Sequence, residues 1–271
     1  MTQADYDRAS QEYYNEQLAI SAGLITRVLR WWRTLSYRAV QSDSDALWET
    51  YRDMVSDARD RSYSTGSDFH NRARELADHT STFKGGPRDA AAESRQAATS
   101  FFVQTAPVTR AIQQGRLDDP EFLAELDDAM TRAGTNLARD GGRLAEQGGR
   151  DALADARDND GDVIGYYRKT DPDPCGFCAM LASRGLVYTD SRNASRASRT
   201  WVDEQDPEQY HPDCHCQTLP LFRGVAMPAE DRRRAKEYEQ AWENTEGSGA
   251  DQLKNFRDRI DADRRARRVN A

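Results

Sequence analysis

All four cysteines of this 271-residue chain, and two of its four histidines, fall between Pro174 and Pro220. They are the residues whose types and spacing most clearly support chemistry. Cys175-Gly176-Phe177-Cys178 places two thiols on one tight turn, and His211-Pro212-Asp213-Cys214-His215-Cys216 supplies a second group of soft ligands further along. Two short ligand pairs from separate parts of a chain are what a structural zinc ion needs, because zinc takes four nitrogen or sulfur ligands tetrahedrally with no preference from its d electrons. Gly176 lets the first turn tighten. On an extended segment Cys214 and Cys216 share a face, since side chains there alternate, and His215 points away. Cys175, Cys178, His211, Cys214 and Cys216 are thus five candidates for four positions around a structural Zn2+, and spacing alone does not choose among them.

Two other uses of cysteine compete. Disulfides need an oxidising compartment, and four cysteines in 271 residues are sparse for a disulfide scaffold. Nucleophilic catalysis needs an activated thiolate beside a base and an orienting group, and no cysteine is singled out in that way.

The elements that must position these residues are mostly helical. With 37% hydrophobic and 31% charged residues and a mean hydropathy of -0.92, the chain suits small cores in a highly solvated molecule. A net charge of -8 argues against a protein that coats DNA over its whole surface, although local basic patches remain. No apolar run approaches the roughly 20 residues of a membrane span, and the first residues lack signal-peptide character, which points to the cytoplasm.

Apolar residues at steps of three and four predict a helix from 4 to about 38, ending in the basic and aromatic run Arg27 to Arg38. A tryptophan on the buried face and arginines on the wet face account for that run. A second helix is expected over 46–63, broken by Ser64-Thr65-Gly66-Ser67, then a segment over 68–79. An alanine-rich helix follows over 88–105, Pro107 opens another run, and 121 to about 158 is helical with a kink, break or close packing at Gly141-Gly142 and Gly148-Gly149. His70 and His79 read as surface or capping residues. Asp158 to Asp162 lacks the glycine and glutamate positions of a calcium loop and reads as a solvated turn.

The texture then changes. Val163 to Lys169 predicts a strand leading to Cys175, Ala179 to Gly185 a short helix, Leu186-Val187-Tyr188 a second strand and Gln217 to Phe222 a closing one. Between them lies a polar tract with Arg192, Arg196 and Arg199. From Pro228 a charged helix or helix pair runs to the basic tail Arg264-Arg265-Ala266-Arg267-Arg268. The expected fold is mainly α: an elongated helical docking and assembly region over 1–158, a small α+β domain stapled by zinc over 159–226, and a charged helical tail over 227–271.

The run from Cys175-Gly176-Phe177-Cys178 through Met180-Leu181 to Arg184-Gly185, followed by His211-Pro212-Asp213-Cys214-His215-Cys216, resembles the minor capsid or head morphogenesis proteins of tailed bacteriophages. Within these it is most similar to the Mu F-like proteins of phages that infect actinobacteria. The specific likeness covers roughly residues 160 to 223, and position 215, arginine in many such motifs, is His215 here, a sixth candidate ligand. The resemblance implies a low-copy virion component that acts in procapsid assembly, head morphogenesis or DNA ejection. Its implied partners are the portal, the major capsid protein and the scaffold, with contact to packaged DNA through basic segments and none to a membrane. It is implied to lie in the host cytoplasm during assembly and then inside the head.

Relatives of this group are also described as capsid maturation proteases. This chain has no G-x-S-x-G elbow and no H-E-x-x-H, and a cysteine-rich metal site usually closes itself. A zinc-stabilised nucleic-acid binder is the remaining alternative, resting on the arginines of 192–199 and 264–268.

Overall fold

The computed structural model describes residues 2–79, 82–86, 88–114, 119–185 and 214–269. Among them are eight helices and one two-stranded sheet: α1 (Gln3–Trp32), α2 (Tyr37–Ser42), α3 (Ser44–Leu76), α4 (Ala90–Gln113), α5 (Pro120–Asn159), β1 (Val163–Lys169), α6 (Gly176–Ser183), β2 (Gln217–Phe222), α7 (Ala229–Glu243) and α8 (Gly249–Val269). The mainly α class with a small α+β part is what the sequence leads one to expect. No helix among the described residues is long and apolar enough to cross a membrane.

Contacts group the chain into two compact units. One comprises 1–15, 65–85 and 150–271, the other 16–64 and 86–149. These are discontinuous in sequence, whereas the division at 158 and 226 follows texture along the chain.

The unit of 16–64 and 86–149 is a helical core. Val28 and Trp32 of α1, Tyr51 and Val55 of α3, Phe101 and Val108 of α4, and Leu137 and Leu144 of α5 are all buried in one cluster. Its polar tips are paired: the Trp32 indole N–H donates to the Met130 carbonyl at 2.8 Å, and the Tyr51 hydroxyl to the Leu137 carbonyl at 3.1 Å. Trp32, in the basic run at the end of α1, therefore lies on the buried face.

Three helix boundaries differ from expectation: α1 ends at Trp32 rather than near 38, and the other two lie in α3 and α4. α3 does not stop at Ser64 but continues to Leu76. A glycine inside a helix costs about 1 kcal/mol, whereas burying Phe69 and Leu76 returns about 2 kcal/mol each, so packing overrides the break. Pro107 lies inside α4 rather than opening a helix. The carbonyl it leaves without a helical partner belongs to Val103, an exposed residue, where solvent can serve. α5 runs unbroken through both glycine pairs. A Cβ on Gly148 would collide with the Arg59 carbonyl oxygen, so glycine marks close packing of α5 on α3.

The other unit holds the sheet. β1 and β2 are antiparallel with Tyr167 opposite Leu219 and Lys169 opposite Gln217, and the register shifts between Val163 and Gly165. Tyr6 of α1 donates its hydroxyl to the Pro220 carbonyl at 2.5 Å, and Tyr13 stacks on Phe69 at 4.8 Å. Lys169, at the end of β1, reaches Asp231 of α7 at 3.1 Å, both buried. That pair anchors the strand end from which the cysteine segment departs.

His70 is not a surface residue: it is 1% exposed, between the rings of Phe83 and Phe222. Nor is the 158–162 turn wholly solvated, because Asp160 is buried and pairs with His70 Nε2 at 2.8 Å and with Arg74. Arg74 also donates to Asp162, and His79 Nδ1 lies 3.2 Å from the same carboxylate. Burial pushes the His70 pKa below its ordinary value despite Asp160, while Arg74 and His70 overcome burial to hold Asp160 below its own.

Two outcomes follow. Gly148→Ala should lower stability by about 2 kcal/mol or more in denaturant unfolding, although alanine is the better helix former by about 1 kcal/mol. Stability should also fall as pH drops below the unfolded histidine pKa of about 6.5, because the unfolded chain then binds a proton that folded His70 resists. Melting temperatures between pH 7.5 and 5 would show this decline in the wild type and a flatter profile in His70→Gln.

Candidate metal centre

The sheet register builds one wall of the centre. Because Lys169 pairs with Gln217, the chain leaving β1 passes beside the chain entering β2, and the Asp171 backbone N–H points at the Cys216 sulfur at 3.5 Å. Cys214 and Cys216 are buried while His215 between them is half-buried, the alternation expected of an extended segment. The second wall is α6. Cys175 is its N-cap, with its sulfur accepting the Cys178 N–H at 3.4 Å, and Cys178 follows in the first turn.

The Cys178, Cys214 and Cys216 sulfurs all lie within 4.8 Å of one another, and Cys178 and Cys214 are 3.5 Å apart as free thiols. A tetrahedral zinc with bonds of about 2.3 Å separates its sulfurs by about 3.8 Å, so the trio fits a soft metal ion with small adjustment. Cys175 is buried beside Cys178, but its sulfur stands outside the close group. His211 lies outside the described residues, as do the expected strand at 186–188 and Arg192, Arg196 and Arg199.

The electrostatics are compatible with a bound cation. Contact with Cys178 pulls the Cys175 thiol down against the effect of burial. Contact with Cys175 pushes Cys178 up, but Cys214, Cys216 and Arg168 outweigh it and the thiol is lowered to about 7. Burial, with Cys178 and Cys214 beside it, pushes Cys216 well up. The fold favours thiolates at Cys175 and Cys178 and resists one at Cys216, the behaviour of like charges crowded at low dielectric. A divalent ion removes that conflict by converting repulsion among sulfurs into shared attraction.

Three further residues hold the cluster, and spacing did not reveal them. Arg168 of β1 donates to the Cys178 sulfur at 3.2 Å. Arg150, from the end of α5, donates to the carbonyls of Cys214 at 2.7 Å and Cys216 at 3.2 Å. Asp171 supplies the N–H already described. Arg168 had a readable trace, as one of two charges, with Lys169, closing a strand that is otherwise without charge; Arg150 had none, because its partners are main-chain atoms 64 and 66 residues away.

α8 closes the outside. Phe256 is fully buried among the cysteines, and Asp261 accepts the Gly176 N–H at 2.8 Å. A Cβ on Gly176 would come within 2.6 Å of the Arg257 Cα, so only glycine lets the two backbones meet. Arg264 and Arg267 bridge to Asp173, so part of the basic tail is engaged within this unit.

Comparison with known proteins adds one finding. The profile of the VG15 protein family matches residues 2–245. The chain belongs to the VG15 family. That is a viral or phage gene family, which supports a phage origin for this chain. No curated protein and no solved structure matches it. The match takes in the helical region, the sheet and all four cysteines, and it ends before α8.

Elemental analysis of the purified protein should find one zinc per chain, lost in Cys178→Ser and Cys214→Ser. Metal binding supplies on the order of 10 kcal/mol to small stapled domains, so a strong chelator should lower the melting temperature sharply. Metal-free protein of unchanged stability would count against the centre.

Proposed function

We propose that this chain is a minor structural protein of the phage head, acting in procapsid assembly and head morphogenesis, with a structural zinc ion in its cysteine cluster. The observation that carries the reading is the enclosure of the cluster. Cys178 and Cys216 are fully buried, walled by α6, β1 and α8, which suits a closed staple rather than an open catalytic metal. Membership of a viral or phage family supports a virion role, and the motif of Cys175 to Gly185 with His211 to Cys216 favours the Mu F-like type. The partners proposed are the portal, the major capsid protein and the scaffold. Phe102 and Val103 of α4, 45% and 59% exposed, offer such a partner an apolar contact, with the half-buried Trp48 beside Phe102.

The alternatives have less support. A protease would need an accessible base, and of the two histidines away from the cysteines, His70 is enclosed by two phenylalanines and paired with Asp160 while His79 lies against Asp162. A nucleic-acid binder would draw on the basic tail, where Arg264 and Arg267 already hold Asp173.

Heads and procapsids banded on density gradients from infected cells should contain the protein at low copy relative to the major capsid protein. A nonsense mutation in its gene should reduce filled heads without altering capsid-protein processing. Absence from both particles would overturn the reading, and loss of processing would favour the protease.

A further inference from the structure

We propose that Cys175 is the fourth ligand, so that the centre is closed by four thiolates and takes a soft tetrahedral divalent cation. This rests on the metal reading above and goes beyond it by fixing the ligand set, with His211 and Asp171 left out.

The argument begins with where N–H groups point. A metal-bound thiolate keeps negative charge that neighbouring donors stabilise, and such donors orient and tune the ligands. The Cys178 sulfur receives Arg168 Nη2 at 3.2 Å, and the Cys216 sulfur receives the Asp171 N–H at 3.5 Å. The Cys175 sulfur receives a donor of the same kind, the Cys178 N–H at 3.4 Å. Cys175 is therefore served like two members of the converged trio.

Position agrees. Cys175 precedes the first residue of an eight-residue helix, so its sulfur sits where unpaired N–H groups and the helix dipole favour an anion. It is 8% exposed and shares the buried cluster with the other three cysteines. The turn that carries it is fixed from outside, because Asp261 holds the Gly176 N–H and the Arg257 backbone fills the space above Gly176. Closing the site then requires the Cys175 sulfur to move toward the other three from a turn that is already held in place.

Asp171 is the nearest oxygen competitor, with Oδ2 3.8 Å from the Cys216 sulfur. Its other oxygen accepts the Asp173 N–H at 2.9 Å, which shapes the turn that presents its own N–H to Cys216. That role is met without a bond to metal.

Cobalt(II) reports the ligand set directly, because its visible d–d bands and sulfur-to-cobalt charge-transfer absorbance depend on how many thiolates are bound. The full chain, reconstituted with cobalt alone, should give the spectrum of a tetrahedral four-sulfur site. His211→Ala should leave it unchanged. Cys175→Ser should lose about a quarter of the charge-transfer intensity, one thiolate in four, with its d–d bands shifted to shorter wavelength.

A wild-type spectrum of three sulfurs with one nitrogen or oxygen, or any change on His211→Ala, would overturn the four-thiolate set while leaving a metal centre standing. Absence of a tetrahedral cobalt spectrum in the wild type would remove the metal reading itself, and the inference with it. The wild-type and His211→Ala measurements do not depend on how well Cys175→Ser folds.

Discussion

Like charges crowded in a buried space are the constraint on which the cysteine unit depends. Three sulfurs within 4.8 Å of each other can all ionise only if something positive lies between or around them. The chain brings partial compensation from several directions: the Arg168 guanidinium on Cys178, the Asp171 N–H on Cys216, and Arg150 on the carbonyls of the Cys214 to Cys216 segment. Those contacts come from β1, from the turn after it and from the end of α5. A soft cation at the centre would therefore tie these segments together at a second point beside the buried apolar cluster that includes the cysteines.

Some of this was legible in the sequence because it is local. The β-branched and aromatic texture of Val163 to Lys169 pointed to one strand and Gln217 to Phe222 to the other, while the short helix expected over Ala179 to Gly185 starts three residues earlier, capped by Cys175. The metal reading came from ligand types and spacing, and three of its five residues converge. What could not be read depends on tertiary contact. Nothing near His70 in the chain shows that Asp160, 90 residues away, buries it as a partner. Gly66 and Pro107 carry strong local signals for breaks, and both were overridden, one by buried apolar residues on either side and one by an exposed carbonyl. Gly148 was ambiguous between flexibility and contact until the Arg59 backbone was seen against it.

The two units spend their residues differently. The helical core of 16–64 and 86–149 relies mainly on apolar burial, with polar tips satisfied by main-chain carbonyls and a few buried charges such as Arg59, held by Glu93. The other unit buries an unusual set of charges: Lys169 with Asp231, Arg74 with Asp160, Arg168 at the Cys178 sulfur and Arg150 at the carbonyls of Cys214 and Cys216. Buried pairs of this kind add little net stability against an apolar replacement but penalise any arrangement that separates them. Their value is in fixing one register and one placement of the cysteine segment.

The last helix carries a different lesson. α8 begins after residue 245, where the family match ends, yet its Phe256 lies among the cysteines and its Asp261 caps the helix that presents them. The matched stretch thus stops short of the folded unit. A module cut at the edge of the family likeness would retain every recognisable ligand while losing one side of their enclosure, turning a protected centre into one that oxidants and competing metals can reach.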